Sequence, residues 1–285
     1  MSSTSPSNTP MPLPPAVRAF DATAHRFDER FGEWRSVAAQ RAAVRRNLMR
    51  IFPRGSRLLE LGAGTGDDAI FLLERGYQVT LTDGSRTMVT MASEKLRRAG
   101  YGDRVPVEQV VLEELEDFAE RERDAGLLPF DGAFSNFAAL NCVEDLAALA
   151  LPLAKLLRPG GTFAPVIFGP CSVGEVVVEL IRRDPKAAVR RFRRGPAPAR
   201  LGGEHFTVWY PSPRQVVRAL APYFRLRGIR GIGVLVPPSA AEPLISRFPR
   251  LVSALAAADR LLERPFALLG DHVLLRLERT EVPPS

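Results

Sequence analysis

Cysteine is scarce in this 285-residue chain, and long apolar runs are missing. Two cysteines, Cys142 and Cys171, are too few for a disulfide framework, which favours a cytoplasmic protein. We interpret Cys142 as a small buried residue rather than a nucleophile. Polar and charged residues interrupt the longest apolar stretch, 138–157, so it falls short of the roughly 18 apolar residues that a membrane span needs. The sequence therefore predicts no transmembrane segment.

The first 15 residues lack the basic segment and apolar core of a secretory signal, and their Ser, Pro and Thr content predicts a disordered tail. The net charge is +7, but only three of the 39 basic residues are lysines. Arginine, alanine and proline are all abundant, as a GC-rich coding sequence would produce. We therefore do not expect a nucleic-acid partner, although a basic chain could suggest one.

Apolar runs and helical patterns alternate from residue 57 onward. Such alternation predicts βαβ units, and hence a mostly parallel sheet with helices on both faces. The predicted strands are 57–61, 78–82, 105–111, 131–135 and 162–168, and the predicted helices between them are 67–75, 86–98 and 143–157. Further on, helices are predicted at 172–183, 212–224 and 244–263, and two strands near 225–235 and 272–278 would complete a seven-stranded sheet.

The stretch RLLELGAGTGDDAIFLLERGYQVTLTDGS, 57–85, joins a buried strand to a helix through three glycines at alternate positions. Such a turn lets backbone N–H groups approach a ligand closely, and an acid ending the next strand, Asp83, can accept the hydroxyls of a ribose. The dinucleotide fingerprint G-x-G-x-x-G would require glycine where Asp67 stands, and Asp68 follows it. Two carboxylates there would repel a pyrophosphate, so we expect a nucleoside ligand without phosphates. A tight turn without a ligand, and Asp83 as a helix cap, are the structural alternatives.

The segment LLELGAGTGDDAIFL resembles the first motif of the class I S-adenosylmethionine-dependent methyltransferases, and VTLTDGSRTMVTMA resembles the next element of that family. FDGAFSNFAALNCVEDL is similar to its fourth-strand motif, LLRPGGTFAPVIF to its turn into the fifth strand, and FDATAHRFDERF to the lid helix of many small-molecule members. The order and spacing of these motifs over residues 20–168 make the resemblance specific. It implies a Rossmann-like α/β fold and S-adenosylmethionine as cofactor, with S-adenosylhomocysteine as product.

The resemblance also implies an organisation of the chain. A tail (1–15) precedes a helical lid (16–50) and the cofactor-binding core (51–168). A cap or insertion (169–211) and a C-terminal part that completes the sheet (212–285) follow.

The family's cofactor contacts map onto the ends of the first, second and fourth strands. The glycine turn and Glu60 would hold the methionine ammonium and carboxylate, and Asp83 would take the ribose diol. Val111 stands where the family often has an Asp for the adenine amino group, so Glu113, Glu114 or a backbone carbonyl would replace it. The implied cofactor-binding residues are Glu60, Gly62, Ala63, Gly64, Gly66, Asp83, Gly84, Ser85, Met88, Glu113, Ser135 and Asn136.

The acceptor site is less defined by sequence, because sulfonium methyl transfer mainly requires proximity and alignment. His25, in the predicted lid, and His205, in the predicted cap, are candidate general bases, whereas His272 is expected to be structural. Other candidate substrate contacts are Phe27, Asn141, Trp209 and Tyr210. The alternatives are that Asn136 and Asn141 satisfy loop backbone and that Trp209 and Tyr210 pack in the core.

The resemblance implies methyl transfer to a small organic acceptor, on oxygen or nitrogen. A nicotinamide oxidoreductase and a non-catalytic S-adenosylmethionine-binding protein are the alternatives. The segment 182–200 is rich in arginine; it predicts either a solvated helix face or a landing site for an anionic substrate, a carrier protein or a membrane surface. No metal ligand set and no oligomeric state can be derived from the sequence.

Overall fold

The computed structural model describes residues 12–32, 34–127, 129–137, 139–169, 171–192 and 195–281. Most of the predicted tail, 1–11, lies outside these ranges, as do Arg193 and Arg194 of the basic segment. In the described part of the chain, no helix is long and apolar enough to cross a membrane.

A seven-stranded sheet forms the centre of the molecule. Its strands are β1 (Arg57–Leu61), β2 (Gln78–Asp83), β3 (Val107–Gln109), β4 (Phe130–Ser135), β5 (Leu157–Phe168), β8 (Phe224–Ile232) and β9 (His272–Arg279). They lie in the order β3-β2-β1-β4-β5-β9-β8; the first five of this order run parallel, while β9 lies antiparallel between β5 and β8. The predicted α/β fold class with a mostly parallel seven-stranded sheet is confirmed.

Each face of this sheet carries its own apolar core, because successive side chains of a strand point to opposite faces. In β1, Leu59 and Leu61 belong to one core while Leu58 belongs to the other. The helices that cover the two faces are α3 (Arg35–Ile51), α4 (Asp67–Leu73), α5 (Arg86–Arg98), α6 (Leu115–Asp124), α7 (Ala150–Leu156), α10 (Pro213–Leu220) and α11 (Pro249–Leu262).

Two short helices precede α3 and pack along α5. They are α1 (Pro15–Thr23) and α2 (Phe27–Gly32). The Asp21 carboxylate of α1 accepts hydrogen bonds from the Ser85 hydroxyl at 2.6 Å and the Thr87 N–H at 2.9 Å. On α2, Asp28 pairs with Lys95 at 2.8 Å. These polar contacts hold the N-terminal helices against the core.

Residues 171–211 form a further layer, which contains both polar and apolar side chains. It contains α8 (Val173–Ile181), α9 (Pro185–Ala188) and an antiparallel hairpin of β6 (Ala197–Leu201) and β7 (Glu204–Val208). The hairpin contacts α1 through the Arg18–Glu204 ion pair at 3.1 Å. Strand β6 was not predicted, since the prolines in GPAPAR, 195–200, argue against a strand. The division of the chain into lid, core and cap stays a prediction.

Three other element predictions need correction. Helix α6 was missed, because its charged sequence LEDFAERERD shows only a narrow apolar stripe. The predicted turn RPGG lies inside β5, where the pairing with β4 shifts register between Phe130 and Gly132. The helix predicted at 244–263 begins at Pro249, since proline lacks the N–H that an earlier helical turn would need.

Candidate active site

The glycine turn after β1 lies at the carboxyl edge of the parallel strands, where open α/β sheets place their ligands. Gly62, Gly64 and Gly66 all have positive φ, at 69°, 57° and 81°. A Cβ on Gly62 would lie 2.5 Å from the Cβ of Ala139. A Cβ on Gly64 would meet no described atom within 4 Å and would stand in open space. Gly64 is thus the position at which a ligand can approach the backbone.

Asp83, the last residue of β2, has a fixed carboxylate. The N–H groups of Gly64 and Ser85 donate to its two oxygens at 2.8 and 2.9 Å. Burial raises the pKa of Asp83, and these two donors oppose the rise. Since each carboxylate oxygen has a second lone pair, Asp83 can still accept hydroxyl groups.

The first of two neighbouring cavities opens beside Asp83 and has a volume of about 110 Å³. Its walls combine the glycine turn, the N-terminal helices and the segments after β3 and β4. Five of the predicted cofactor residues besides Asp83 line it: Gly62, Gly64, Gly84, Met88 and Glu113. Val110 and Leu112 lie on the same wall as Glu113, whereas Val111 and Glu114 are not among the described lining residues. This wall is apolar apart from Glu113.

A second cavity, of about 280 Å³, adjoins the first. The two share Phe20, Phe27, Gly64 and Phe137 as lining residues, so they meet at an aromatic neck. Phe137 adopts φ = 47°, a conformation that a non-glycine residue rarely takes and that costs backbone strain. Further in, aromatic side chains and His272 line the second cavity.

The acidic start of α4 contributes Asp67 and Asp68 to the second cavity. Asp67 pairs with Arg41 and Lys95, each at 2.7 Å. Burial alone would raise the pKa of Asp67, but these two cations lower it. Asp68 pairs with Arg45 at 2.6 Å. The two carboxylates are therefore neutralised by the protein and do not present the free negative charge that the sequence suggested.

Asn136 lies in the second cavity and donates from Nδ2 to Asp68 at 2.9 Å. Its Oδ1 is buried and has no hydrogen-bond partner among the described residues. Ala63 also lines this cavity. A buried amide oxygen without a donor costs stability, and a ligand ammonium or hydroxyl can remove that cost.

The remaining predicted cofactor residues are not among the described residues that line either cavity: Glu60, Gly66, Ser85 and Ser135. Glu60 is buried, and burial together with the charge of Asp68 holds its pKa well above the usual range. Its Oε2 and the hydroxyl of Ser135 have no hydrogen-bond partner in the described structure. Ser85 caps α5 by accepting from the Met88 N–H at 3.1 Å. Direct contact of these residues with a cofactor stays a prediction.

The structure places the two predicted bases on the surface. His25 and His205 are exposed, and neither is among the described residues that line a cavity. Their role stays an untested prediction.

His272, which we expected to be structural, instead lies in the wall of the second cavity. Its ring stacks on Phe168 with centroids 4.8 Å apart and meets the Phe137 ring edge-on at 5.2 Å. Burial lowers the pKa of His272 to about 4, against the charge of Asp271. The imidazole is therefore neutral at neutral pH and can accept a hydrogen bond, while its burial disfavours the uptake of a proton. Its Nδ1 lies 3.4 Å from Oδ2 of Asp271, without a hydrogen bond among the described residues.

No local sequence motif marks His272, and the sheet topology brings it to this site. His272 opens the last strand, and that strand runs antiparallel to β5. The first residue of such a strand lies at the carboxyl edge of its parallel neighbours, beside the ligand.

Among the predicted substrate contacts, Phe27 lines both cavities. Asn141 instead joins two segments of backbone: its Oδ1 accepts from the Phe168 N–H at 2.9 Å and its Nδ2 donates to the Trp209 carbonyl at 2.7 Å. Tyr210 packs on Phe168 with centroids 5.8 Å apart. Asn141, Trp209 and Tyr210 are outside the described lining residues and support the wall from behind.

Of the two alternatives for the basic segment, a solvated helix face is wrong for Arg191, whereas Arg190 is exposed. Arg191 is buried and its guanidinium donates to the Asp271 carboxylate and to the Asp271 carbonyl, both at 2.6 Å. The same group contacts Glu175, which also pairs with Arg190 at 2.5 Å. These cations are paired with buried carboxylates, and both line the second cavity.

Comparison with known proteins gives the family. A family model described as a methyltransferase domain matches residues 59–163. The malonyl-[acyl-carrier protein] O-methyltransferase of Halorhodospira halophila is 32% identical over 216 residues, which are 71% of this chain and 68% of the relative. A tRNA 5-carboxymethoxyuridine methyltransferase of Escherichia coli is 26% identical over 53% of this chain and 56% of its own. The solved structure of the [4+2]-cyclase SpnF superposes with a TM-score of 0.59 at 18% identity, over 97% of this chain and all of that one.

The chain therefore belongs to the class I S-adenosylmethionine-dependent methyltransferases, and its cofactor is S-adenosylmethionine. These comparisons favour the predicted methyltransferase activity over a nicotinamide oxidoreductase. The site fits this cofactor, since the first cavity offers a glycine cradle open at Gly64 and a fixed carboxylate at Asp83. Among the described residues, no group of three or more His, Cys, Asp or Glu side chains could hold a metal ion.

Proposed function

We propose that the chain methylates a small, largely apolar organic acceptor that carries a hydroxyl or amine and binds in the second cavity. The observation that carries this proposal is the aromatic neck of Phe20, Phe27 and Phe137, at which the two cavities meet. When bound, S-adenosylmethionine supplies a sulfonium-activated methyl group. The chain's own part is to hold donor and acceptor on either side of the neck and to exclude water, which are the main requirements of a direct displacement.

The residues of the first cavity would bind the nucleoside. Asp83 accepts the ribose hydroxyls, Met88, Val110 and Leu112 pack against the base, and Glu113 offers an acceptor for an amino group. The free Oδ1 of Asn136 offers an acceptor to the methionine ammonium at the edge of the second cavity.

The charges of the second cavity support a neutral acceptor. Three cations line it, and each is paired: Arg41 with Asp67, Arg190 with Glu175, and Arg191 with Glu175 and Asp271. An anionic acceptor would have to compete with these carboxylates for its counter-ion. A neutral hydroxyl or amine faces no such competition, and the neutral imidazole of His272 can accept a hydrogen bond from it.

A single-turnover assay with methyl-labelled S-adenosylmethionine would test the function. The acceptor panel contains phenols, aliphatic alcohols, aromatic amines, free carboxylates, a malonyl-carrier protein and tRNA. We expect labelling of the hydroxyl or amine compounds. The two methyltransferase relatives act on a carrier-bound acid and on a tRNA by name, and labelling of only those two macromolecules would overturn the proposal.

His272→Gln tests this hydrogen-bond acceptor within that assay, with exposed His205→Gln as its matched control. Loss of one positioned hydrogen bond typically costs about 1–3 kcal/mol, so we expect kcat for a hydroxyl acceptor to fall roughly five- to a hundredfold in His272→Gln alone. Affinity for S-adenosylmethionine should stay unchanged in both variants, which shows that the fold is intact. A larger loss of kcat in His205→Gln than in His272→Gln would instead favour His205, the residue predicted from sequence.

A further inference from the structure

Helix α8 turns its carboxylates inward and its apolar side chains outward. Glu175 and Glu179 are buried, whereas Val173, Val177 and Ile181 are exposed, and Ile181 keeps 77% of its surface accessible. An ordinary surface helix of a globular protein has the reverse arrangement. The inversion follows from the cap's interior, where Glu175 pairs with Arg190 and Arg191.

The residues after α8 continue this surface. Val189 and Phe192 are exposed, at 48% and 56%. Cations surround the apolar side chains, because Arg182, Arg183 and Lys186 are exposed while the acids of α8 are buried. We name this surface the cap face; its members are Val173, Val177, Leu180, Ile181, Arg182, Arg183, Lys186, Val189 and Phe192.

We propose that the cap face docks on the surface of an anionic membrane. Apolar side chains bordered by cations, with the acids removed to the opposite side of a helix, are what an interfacial helix needs to enter the headgroup region. Each cation near an anionic leaflet adds attraction, and the apolar side chains add the free energy of leaving water. Of the exposed charges around the cap face, one is an acid, Asp184, and its carboxylate accepts from the Ala187 N–H at 2.9 Å.

Other occupants fit the cap face less well. In a two-fold pair of this chain, the face would bring Arg182, Arg183 and Lys186 against the same cations of the second copy. The segments outside the described ranges at the two ends, MSSTSPSNTPM and VPPS, contain few apolar side chains with which to cover it. An acidic carrier protein would satisfy the cations, but a transient protein interface is no more apolar than ordinary surface, and this face exposes six large apolar side chains.

The proposed docking surface lies outside the two cavities that would hold the cofactor and the acceptor. None of the members of the cap face is among the described residues that line the two cavities. Vesicle binding therefore tests the cap face whether or not the acceptor has been identified.

Vesicle flotation with the full chain provides the test. The probes are vesicles of phosphatidylcholine alone and of phosphatidylcholine mixed with phosphatidylglycerol. The apolar variant is Val177→Ser with Ile181→Ser, and its matched control is Leu261→Ser, an equally exposed residue (79%) on α11. The charge variant is Arg183→Gln with Lys186→Gln, and its control is Arg97→Gln with Arg98→Gln on α5. Affinity for S-adenosylmethionine reports an intact fold in every variant.

We expect the wild type to float with phosphatidylglycerol vesicles and not with phosphatidylcholine alone. The apolar variant should lose roughly tenfold or more in vesicle partition, and the charge variant roughly fivefold for each cation removed. Both controls should bind like the wild type, and added salt should mimic the charge variant. The proposal is overturned by absence of flotation, by equal losses in the controls, or by a change of oligomeric state in the apolar variant. Tighter binding to a purified acidic carrier protein than to vesicles would also overturn it.

Discussion

Asp83 is held by two backbone donors and faces the first cavity, so its side chain is positioned to recognise the ribose. In Asp83→Ala, a charged acceptor for two hydroxyls is lost. Charged hydrogen bonds contribute about 1.5–3 kcal/mol each, so affinity for S-adenosylmethionine should fall roughly ten- to a hundredfold or more. Calorimetric titration measures it, and unchanged affinity in a folded variant would remove Asp83 from the site.

The raised pKa of Asp83 gives this binding a pH dependence. Burial disfavours the ionised carboxylate, which is the form that accepts both hydroxyls. Affinity for S-adenosylmethionine should therefore fall as the pH drops, starting at a higher pH than an ordinary aspartate would give. Asp83→Asn should bind more weakly and lack this component of the pH dependence. Parallel pH profiles for wild type and Asp83→Asn would contradict the assignment.

Gly64→Val should abolish cofactor binding and leave the fold largely intact. The new side chain would stand in the open space of the cavity, where no described atom lies within 4 Å. Gly100→Val is the matched control, because Gly100 also has positive φ and open space but lies at the end of α5, outside the described cavity lining. Both variants should pay a similar backbone strain of about 1–2 kcal/mol, and only Gly64→Val should lose binding. Normal binding by Gly64→Val would show that the turn is placed incorrectly.

Single residues were predictable where the local motif defines their role. Gly64, Asp83 and Met88 follow from the strand-turn-helix pattern, and the structure brings them to one cavity. His272 lies almost 200 residues further along, and only the antiparallel placement of its strand brings it beside the turn. Sequence spacing carries no information about such long-range contacts.

At the scale of elements, the buried parallel strands were predicted best, because both of their faces pack and their sequences are continuously apolar. Segment 171–211 was predicted worst, since its interior is built from ion pairs. A run of arginines is expected to form a solvated surface. Arg191 is nevertheless buried, because it pairs with the buried carboxylates of Glu175 and Asp271. The sequence around a buried charged residue does not show which distant residues neutralise it.

Arg191 therefore joins segment 171–211 to Asp271, the residue before β9, and Arg191→Met should destabilise the protein. The substitution leaves the Asp271 carboxylate buried without a cation and Glu175 with Arg190 alone, and breaking a buried pair typically costs about 3–5 kcal/mol. Arg183→Met, at an exposed position two residues after α8, is the control and should change stability by less than about 0.5 kcal/mol. Urea unfolding of both variants measures the difference. Equal stabilities would mean that the ion cluster makes no net contribution to the stability of the protein.

At the scale of the whole molecule, the buried cluster of Arg191, Asp271 and His272 beside β9 should affect how the stability of the protein depends on pH. Burial lowers the pKa of His272 from 6.5 to about 4, while Asp271 opposes the shift and Arg191 adds to it. Between these two values the unfolded chain binds more protons at this site than the folded protein does. The contribution of His272 is thus fully present above about pH 6.5 and is lost as the pH falls toward 4. A shift of this size corresponds to about 3 kcal/mol.

Other buried groups act in the opposite sense, so the wild-type curve alone cannot isolate His272. The pKa values of Glu60 and Asp83 are raised, and each of these carboxyls favours the folded state more as the pH falls. Subtracting the stability curve of His272→Gln from that of the wild type removes the contribution of these carboxyls, because it is common to both proteins. The free energy of unfolding of the wild type minus that of the variant should rise by about 3 kcal/mol from pH 4 to 6.5 and then level off. Urea titrations across that range measure this difference, and a difference that stays constant with pH would show that His272 is not held neutral by its burial.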